Sequence, residues 1–233
     1  MSLLFATGLA FYYGVKSPNP PPERHQRITY RGATYFENSG YYVPLYIRVF
    51  AIVVTVSHAT VVLLSTYTSP NVSDRIVPLL CPNGELSLAI LSAFTPRFAL
   101  STAGVLAGGL GRVWCYRALR QFFTFEIALK DDHKLVTNGP YAYVRHPSYT
   151  AMWLLLGSGF ALWTAPGGYL RECGIVDTRW DWFLHAWTAA ALWGMIGLFM
   201  RAAVEDEMLR QRFGQVWEDY RRRVPWRFVP YLL

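Results

Sequence analysis

Long apolar stretches dominate this sequence and constrain its fold more than any other feature. They span Val43 to Tyr67, Leu86 to Gly111, Tyr149 to Thr164 and Trp182 to Met200, with a shorter one from Met1 to Val15. A helix that crosses a bilayer needs about 20 apolar residues. Charged residues make up only 16% of the 233 residues, against about 25% in soluble domains. We therefore predict an all-α, polytopic transmembrane helical bundle with about five spans.

Basic residues are distributed unevenly between the segments that separate these stretches. Segments 16–42, 112–148 and 201–233 carry four, six and seven Lys or Arg residues, whereas 68–85 and 166–181 carry one and two. Such an excess marks the cytoplasmic side of a membrane protein. We expect the first three segments on the cytosolic face of a multi-pass protein. The net charge of +7 then indicates the lipid bilayer as a partner, and it requires no nucleic acid.

The length predicts one membrane domain, 1–233, in which 1–111 supplies N-terminal helices and loops. Segment 112–233 would be the core, with a helical hairpin over 149–200 and a C-terminal amphipathic helix in the charged tail. The proline-rich residues 18–22 predict an extended linker, and the turn residues of 68–85 predict a loop. Gly108, Gly109 and Gly111 predict close helix packing rather than a phosphate loop.

The three cysteines, Cys81, Cys115 and Cys173, are unevenly spaced and form no CxxC pair. An odd count does not suggest a disulfide framework, so we expect buried, unreactive thiols. Cys81 and Cys173 can pair if both face an oxidising lumen. No metal site is expected, because His133 and His146 have no third ligand at metal-binding spacing.

A polar, turn-rich run at residues 133–149, HKLVTNGPYAYVRHPSY, comes directly before an apolar helix. Polar groups at the mouth of a membrane bundle are costly to bury and usually mark a site. The hairpin returns the chain to the same surface at Arg201, Glu205 and Asp206, so groups of both signs converge there. Taken singly, Arg145 and Arg201 can instead be interfacial anchors, and the acids can be a solvated face.

Two distant motifs resemble one protein family. Residues 135–141 and 145–149 are similar to the LVTxGPYxxVRHPxY signature of the isoprenylcysteine carboxyl methyltransferase family. Glu205 and Asp206 stand where that family has paired acids. Residues 213–230 resemble its FGxxYxxYxxxVPxxxP ending. The proline-rich stretch after a short first helix is similar to fungal members.

The resemblance covers roughly residues 104–233 and includes departures. Asp206 stands in place of a glutamate, Trp217 in place of a tyrosine, and Ala151 in place of a glycine. These departures remove no residue that we expect to be essential, but they leave the identity of the substrate open.

The resemblance implies an integral membrane enzyme of the endoplasmic reticulum that transfers a methyl group from S-adenosyl-L-methionine. The acceptor would be the carboxylate of a prenylated cysteine at a protein C-terminus. Arg145 would orient this carboxylate, with Arg201 as the alternative. A cytosolic cofactor pocket would be lined by His133, Leu135, Val136, Gly139, Tyr141, His146, Tyr149, Glu205 and Asp206.

Other functions remain open from the sequence. The acceptor can instead be a small lipophilic acid such as a terpenoid, or the amine of a phospholipid. An amine stays positively charged and favours an acidic neighbour rather than Arg145. Two further alternatives are a non-catalytic membrane scaffold that retains the pocket and a membrane reductase with related helices. The oligomeric state also stays open.

Overall fold

The computed structural model describes residues 2–27, 41–83, 90–91, 93–128, 130 and 132–232. This part of the chain forms helices and connecting loops, with one isolated antiparallel bridge between Arg27 and Ala128, so the all-α prediction is confirmed. The helices are α1 (Ser2–Val15), α2 (Tyr42–Tyr67), α3 (Pro70–Leu80), α4 (Pro96–Leu119), α5 (Pro147–Thr164), α6 (Tyr169–Glu172), α7 (Asp181–Phe213) and α8 (Gln215–Arg223).

Three helical segments are long and apolar enough to cross a membrane: Tyr42–Tyr67, Pro96–Phe122 and Asp181–Phe213. The segment Pro96–Phe122 is α4 together with the 3-10 turn that follows it. Helix α1 has 14 residues and α5 has 18, and both are shorter than these three. A helical membrane bundle therefore fits the structure, while the count of five spans stays a prediction.

Several helix boundaries differ from the prediction. Segment 70–80 is helical rather than a loop, because Pro70 occupies its first turn, where a proline costs no hydrogen bond. Helix α4 continues eight residues beyond Gly111, to Leu119, and so runs across the predicted boundary at residue 111. Helix α7 continues beyond Met200 to Phe213. Part of the Leu86–Gly111 stretch lies outside the described residues.

Cys81 and Cys173 form a disulfide, whereas Cys115 is a buried free thiol. The expectation of an unreactive thiol is therefore wrong for Cys81 and Cys173, and the alternative that these two pair is confirmed. Cys173 follows α5, whereas the polar run 133–149 leads into the amino end of this helix. The disulfide and the polar run thus connect to opposite ends of α5.

Glycines allow α4 to lie close to two neighbouring helices, as predicted. A methyl group on Gly108 would lie 2.6 Å from the backbone nitrogen of Leu155 in α5. On Gly109, it would lie 2.7 Å from the Cβ atom of Ala10 in α1. Because backbone atoms cannot rotate away, both glycines are required for the observed helix spacing.

Exchange of Gly108 for alanine should therefore destabilise the bundle by on the order of 2 kcal/mol, because α4 and α5 must separate. The measurement is the melting temperature of the purified protein in detergent. The matched control is Gly157→Ala in α5, where an added methyl group meets no atom within 4 Å. Equal melting temperatures for the two variants would contradict the packing role of Gly108.

Candidate active site

A cavity lies where the amino end of α5 meets α4, α7 and the loop before α5. Its volume is about 210 Å³. One part of its wall is apolar and includes Val15 of α1, Ile47 of α2, Leu156 of α5 and Leu198 of α7. The rest of the wall is polar and contains histidine, arginine and carboxylate side chains. The same cavity therefore offers a lipid-like environment and a charged one.

Two adjacent carboxylates on α7 organise the charged part of the wall. Glu205 accepts a hydrogen bond from Arg201 Nε at 2.6 Å, and its Oε2 lies 3.5 Å from His146 Nδ1. The Oδ1 atom of Asp206 lies 3.1 Å from His146 Nε2. His146 therefore bridges the two carboxylates. Its backbone precedes α5, so this imidazole connects the polar run to α7.

Arg145 connects Asp206 to residues 224–228. Its Nε and Nη2 atoms donate to the two Asp206 oxygens at 3.3 and 3.2 Å. Its Nη1 atom donates to the carbonyl oxygens of Val224 and Pro225 at 2.9 and 2.6 Å. Arg227 also donates to Asp206 Oδ2 at 3.0 Å. Asp206 thus compensates two arginines, and Arg145 is fully engaged with the protein itself.

Backbone hydrogen bonds hold the segment 224–228 against the polar run. The Arg145 nitrogen donates to the Trp226 carbonyl at 3.0 Å, and the His146 nitrogen donates to the Arg227 carbonyl at 2.8 Å. One turn into α5, the Thr150 hydroxyl donates to the Phe228 carbonyl at 2.7 Å. This segment is therefore part of the site's frame.

The surroundings of His146 favour its charged form. Burial lowers the pKa of this imidazole, but hydrogen bonds to Asp206 and Glu205, together with their negative charges, raise it by more. The pKa therefore lies above the ordinary value of 6.5. A protonated His146 balances part of the charge of two adjacent buried acids, which would otherwise repel each other.

The structure brings nearly all of the predicted site residues to this cavity. The residues that line it are His133, Leu135, Val136, Tyr141, Arg145, His146, Tyr149, Arg201, Glu205 and Asp206. Gly139 is not among them. It has a positive φ of 59° in a 3-10 turn, and a methyl group on it would lie 3.6 Å from Trp114 Nε1. The chemical roles of all these residues stay predictions.

Residues 99–166 match the profile of the isoprenylcysteine carboxyl methyltransferase family. Over this segment, the chain is similar to that family. The matched segment contains nearly all of α4, the polar run and all of α5. This segment therefore supplies one side of the cavity. The acids of α7 supply another side and lie outside the matched segment.

Curated relatives of the isoprenylcysteine carboxyl methyltransferase family align with parts of the chain. The protein-S-isoprenylcysteine O-methyltransferase of Schizosaccharomyces pombe is 36% identical over 107 residues, which are 45% of this chain and 38% of that protein. Protein-S-isoprenylcysteine O-methyltransferase B of Arabidopsis thaliana is 28% identical over 144 residues, which are 61% of this chain and 56% of that protein. The chain thus spans about half or less of these relatives' own lengths.

A protein with a different name also aligns. The Delta(14)-sterol reductase TM7SF2 of Mus musculus is 26% identical over 99 residues, which are 42% of this chain and 20% of that protein. No solved structure matches the chain significantly.

Among the wall residues that were not assigned to the site from the sequence are Arg112 and Trp217. Arg112 was counted as a charge flanking an apolar stretch and as a fit to the family resemblance, but it was given no role, although an ionisable residue inside a membrane helix is itself a signal of function. Trp217 was noted only as a departure from the family's tyrosine. It lies in α8 and packs with Tyr220, Val224 and Leu135.

Two buried polar atoms in the wall have no hydrogen-bond partner in the described part of the chain. They are Nδ1 of His133 and Nε1 of Trp217. Burial lowers the pKa of His133, so its ring is neutral near pH 7. Unsatisfied buried polar atoms are rare in folded proteins. Two in one wall, next to carboxylates and aromatic faces, suit a ligand that carries both polar and planar groups.

Proposed function

We propose that this protein transfers a methyl group from S-adenosyl-L-methionine to the carboxylate of a prenylated cysteine at a protein C-terminus. The observation that carries this proposal is the continuity of an apolar wall with a charged one in a single cavity. The acceptor combines a long hydrocarbon chain with a carboxylate, and it needs both environments within a few ångströms. The names of the aligned relatives support the same reaction.

The donor set of the cavity fits the proposed cofactor. Glu205 is the candidate to pair with the cofactor's amino group, because 19% of its side chain stays exposed at the cavity wall. Tyr141 and Tyr149 offer aromatic faces to a cation or an adenine ring. His133 and Trp217 bring the two unpartnered polar atoms. S-adenosyl-L-methionine would supply a methyl group activated by a sulfonium cation.

The proposed reaction requires little acid–base chemistry from the protein. A free α-carboxyl has a pKa of about 3.3–3.7, so the acceptor is ionised near neutral pH and needs no general base. A carboxylate and a sulfonium cation react to give neutral products, so charge is lost on the way to the transition state. A cavity that excludes water therefore favours the reaction. The protein's main task is to align the reacting atoms.

Two arginines of the cavity wall are candidates to hold the acceptor carboxylate. The sequence analysis assigns the role to Arg145, with Arg201 as the alternative. In the structure each already pairs with a carboxylate, Asp206 and Glu205 respectively. Either would have to share its guanidinium with the acceptor.

The proposal includes a location in the membrane of the endoplasmic reticulum, with the polar run and α8 facing the cytosol. The uneven distribution of basic residues supports this orientation. The Cys81–Cys173 disulfide supports it as well, because disulfides persist on the oxidising side of such a membrane. The cavity would then open toward the compartment that contains prenylated proteins.

Methyl transfer to N-acetyl-S-farnesyl-cysteine is the direct test. Membranes that contain the protein are incubated with radiolabelled S-adenosyl-L-methionine, and base-labile methyl ester is counted. We expect ester formation that requires both the farnesyl chain and the free carboxylate, so that N-acetylcysteine is not methylated. In sealed vesicles with the cytosolic face outward, we expect full activity with donor added outside, because the charged donor does not cross the bilayer.

Two results would contradict the proposal in different ways. Cofactor binding with no ester on the farnesylated probe would exclude a prenylcysteine acceptor and favour a small lipophilic acid or an amine. Ester formation only after the vesicles are opened would exclude the cytosolic orientation and leave the reaction in place.

A further inference from the structure

Two of the three arginines in the cavity wall pair with carboxylates. Arg145 pairs with Asp206 at 3.2 Å, and Arg201 pairs with Glu205 at 2.6 Å. Arg112 also lies in the wall and is only 2% exposed. In the part of the chain that the structure describes, Arg112 has no carboxylate within 4.0 Å. It is therefore a buried cation of the cavity whose charge no acid compensates.

Neutral groups fix the orientation of Arg112. Its Nε atom donates to the Gly14 carbonyl at 2.9 Å, and its Nη1 atom donates to the hydroxyl and carbonyl oxygens of Ser148. The rings of Tyr116 and Phe123 lie 4.9 and 5.2 Å from the guanidinium carbon. These contacts hold the side chain in one place, but they add no negative charge.

The hydrogen bonds of Arg112 to Gly14 and Ser148 use its Nε and Nη1 atoms, and the neutral Tyr116 hydroxyl also lies close to the guanidinium. An uncompensated buried charge costs several kcal/mol, so a protein seldom retains one unless a ligand supplies the opposite charge. A guanidinium presents paired N–H groups that match the two oxygens of a carboxylate. The ligand that suits Arg112 is therefore an anion, and a carboxylate above all.

The position of Arg112 suits the acceptor rather than the cofactor. Its partner Gly14 immediately precedes Val15, which belongs to the apolar wall. Its other partner, Ser148, lies between His146 and Tyr149 of the polar wall. Arg112 thus lies where the apolar and the charged parts of the wall meet. A lipid chain held by the apolar part would place an attached carboxylate at this junction.

We propose that Arg112 binds the ionised carboxylate of the methyl acceptor and selects it over neutral analogues, an inference that rests on the proposed function. In the reaction, a carboxylate oxygen forms a bond to the methyl carbon and the carbon–sulfur bond of the donor breaks. The bonding electron pair stays on sulfur, and no proton moves. The ester product no longer carries the charge that Arg112 attracts. The protein therefore binds the ester more weakly than the acid, and this favours product release.

The test compares two probes, N-acetyl-S-farnesyl-cysteine and its neutral carboxamide, by equilibrium binding to purified protein in the presence of S-adenosylhomocysteine. We expect the wild type to prefer the acid. In Arg112→Gln, this preference should fall by about tenfold or more, because an ionic hydrogen-bonded contact is lost. Arg112→Lys, which keeps the charge, should restore part of the preference. The affinity for S-adenosylhomocysteine should stay within a factor of about three.

Arg97→Gln is the matched control. Arg97 lies at the opposite end of the same helix and also donates to backbone carbonyls, those of Ala161 and Leu162, but it is not part of the cavity wall. If Arg112 only braces the bundle, both variants should lose melting temperature and both should keep the acid preference. The ratio of the two affinities is unaffected by the fraction of protein that is folded.

Each contrary outcome has a distinct meaning. An unchanged acid preference in Arg112→Gln would overturn the inference, as would a preference that disappears in Arg145→Gln alone. Wild-type protein that methylates the farnesylated acid but binds acid and amide equally would also overturn it, with the proposed function intact. Wild-type protein that neither methylates nor binds the acid would overturn the proposed function, and the inference with it.

Discussion

Exchange of Asp206 for asparagine should lower the stability of the protein by about 3–5 kcal/mol, the typical cost of removing one partner from a buried ion pair. The substitution keeps the shape of the side chain, but it leaves Arg145 without a compensating charge and weakens the contact to Arg227. For a chain of this size, that corresponds to a fall in melting temperature on the order of 10 °C. The measurement is thermal unfolding in detergent.

A second consequence of this substitution is local. Because Arg145 also holds the carbonyls of Val224 and Pro225, loosening it should release the segment 224–228. We expect faster trypsin cleavage after Arg221, Arg222 and Arg223. Asp219→Asn is the control, since that carboxylate is exposed in α8 and bonds Arg222 and Gln215. Equal melting and cleavage for the two variants would refute the role of Asp206.

The pH dependence of stability provides a third measurement on the same variant. A group whose pKa is raised by folding contributes stability that is complete below its unfolded pKa and is lost as the pH rises through its folded pKa. For His146, the unfolded value is near 6.5 and the folded value lies higher. Wild-type stability should therefore fall as the pH rises from 6.5. In Asp206→Asn this fall should be smaller, because one hydrogen-bonded carboxylate is lost.

Exchange of Glu205 for glutamine should weaken binding of S-adenosyl-L-methionine by about 30-fold or more, ~2 kcal/mol at the lower end of the range for a buried charge pair. Glutamine keeps the length of the side chain and can still accept a hydrogen bond from Arg201. What it removes is the negative charge beside the cavity. Equilibrium binding of radiolabelled cofactor to purified protein measures the effect directly, without an acceptor.

A comparison with S-adenosylhomocysteine identifies the group that Glu205 contacts. Both ligands carry the amino group, but only S-adenosyl-L-methionine carries the sulfonium charge. If Glu205 pairs with the amino group, the substitution should weaken both ligands equally. Glu207→Gln is the control, because Glu207 lies two residues further along α7, exposed, and bonds Arg210 and Gln211. Unchanged cofactor affinity in Glu205→Gln would exclude the proposed contact.

Hydropathy predicts the helices best where no charge interrupts them. It places α2 and α5 within two residues of their observed ends. It ends α4 and α7 too early, at Arg112 and Arg201, because it treats both as interfacial charges. In the structure, these arginines lie inside continuous helices, where Ser148 and Glu205 respectively accept hydrogen bonds from them. Hydropathy scores each residue alone and does not include its hydrogen-bond partner. It therefore ends a helix at an arginine that the folded protein can accommodate.

The sequence predicts which residues line the candidate site, but it predicts only part of the ion pairs among them. The polar run and the acids of α7 had to converge, because the hairpin between them begins and ends at one surface. The Arg201–Glu205 pair has the i,i+4 spacing of neighbours on a helix. The Arg145–Asp206 pair could not be read from the sequence, since Arg145 was free to bind a ligand, another acid or lipid headgroups. The hydrogen bonds from residues 145 and 146 to carbonyls of 226 and 227 involve only backbone. A pattern of side chains therefore cannot predict these backbone hydrogen bonds.

The dependence of the site on residues 224–228 sets an order of events during synthesis. These residues follow α7 and α8, so the carbonyls that hold Arg145 emerge from the ribosome only after α1 to α7 have been made. Until then, Arg145 and His146 lack part of their frame. Insertion into the membrane and completion of the cavity are therefore separate stages. A nascent chain holds Arg145 and His146 in their observed positions only at the second stage.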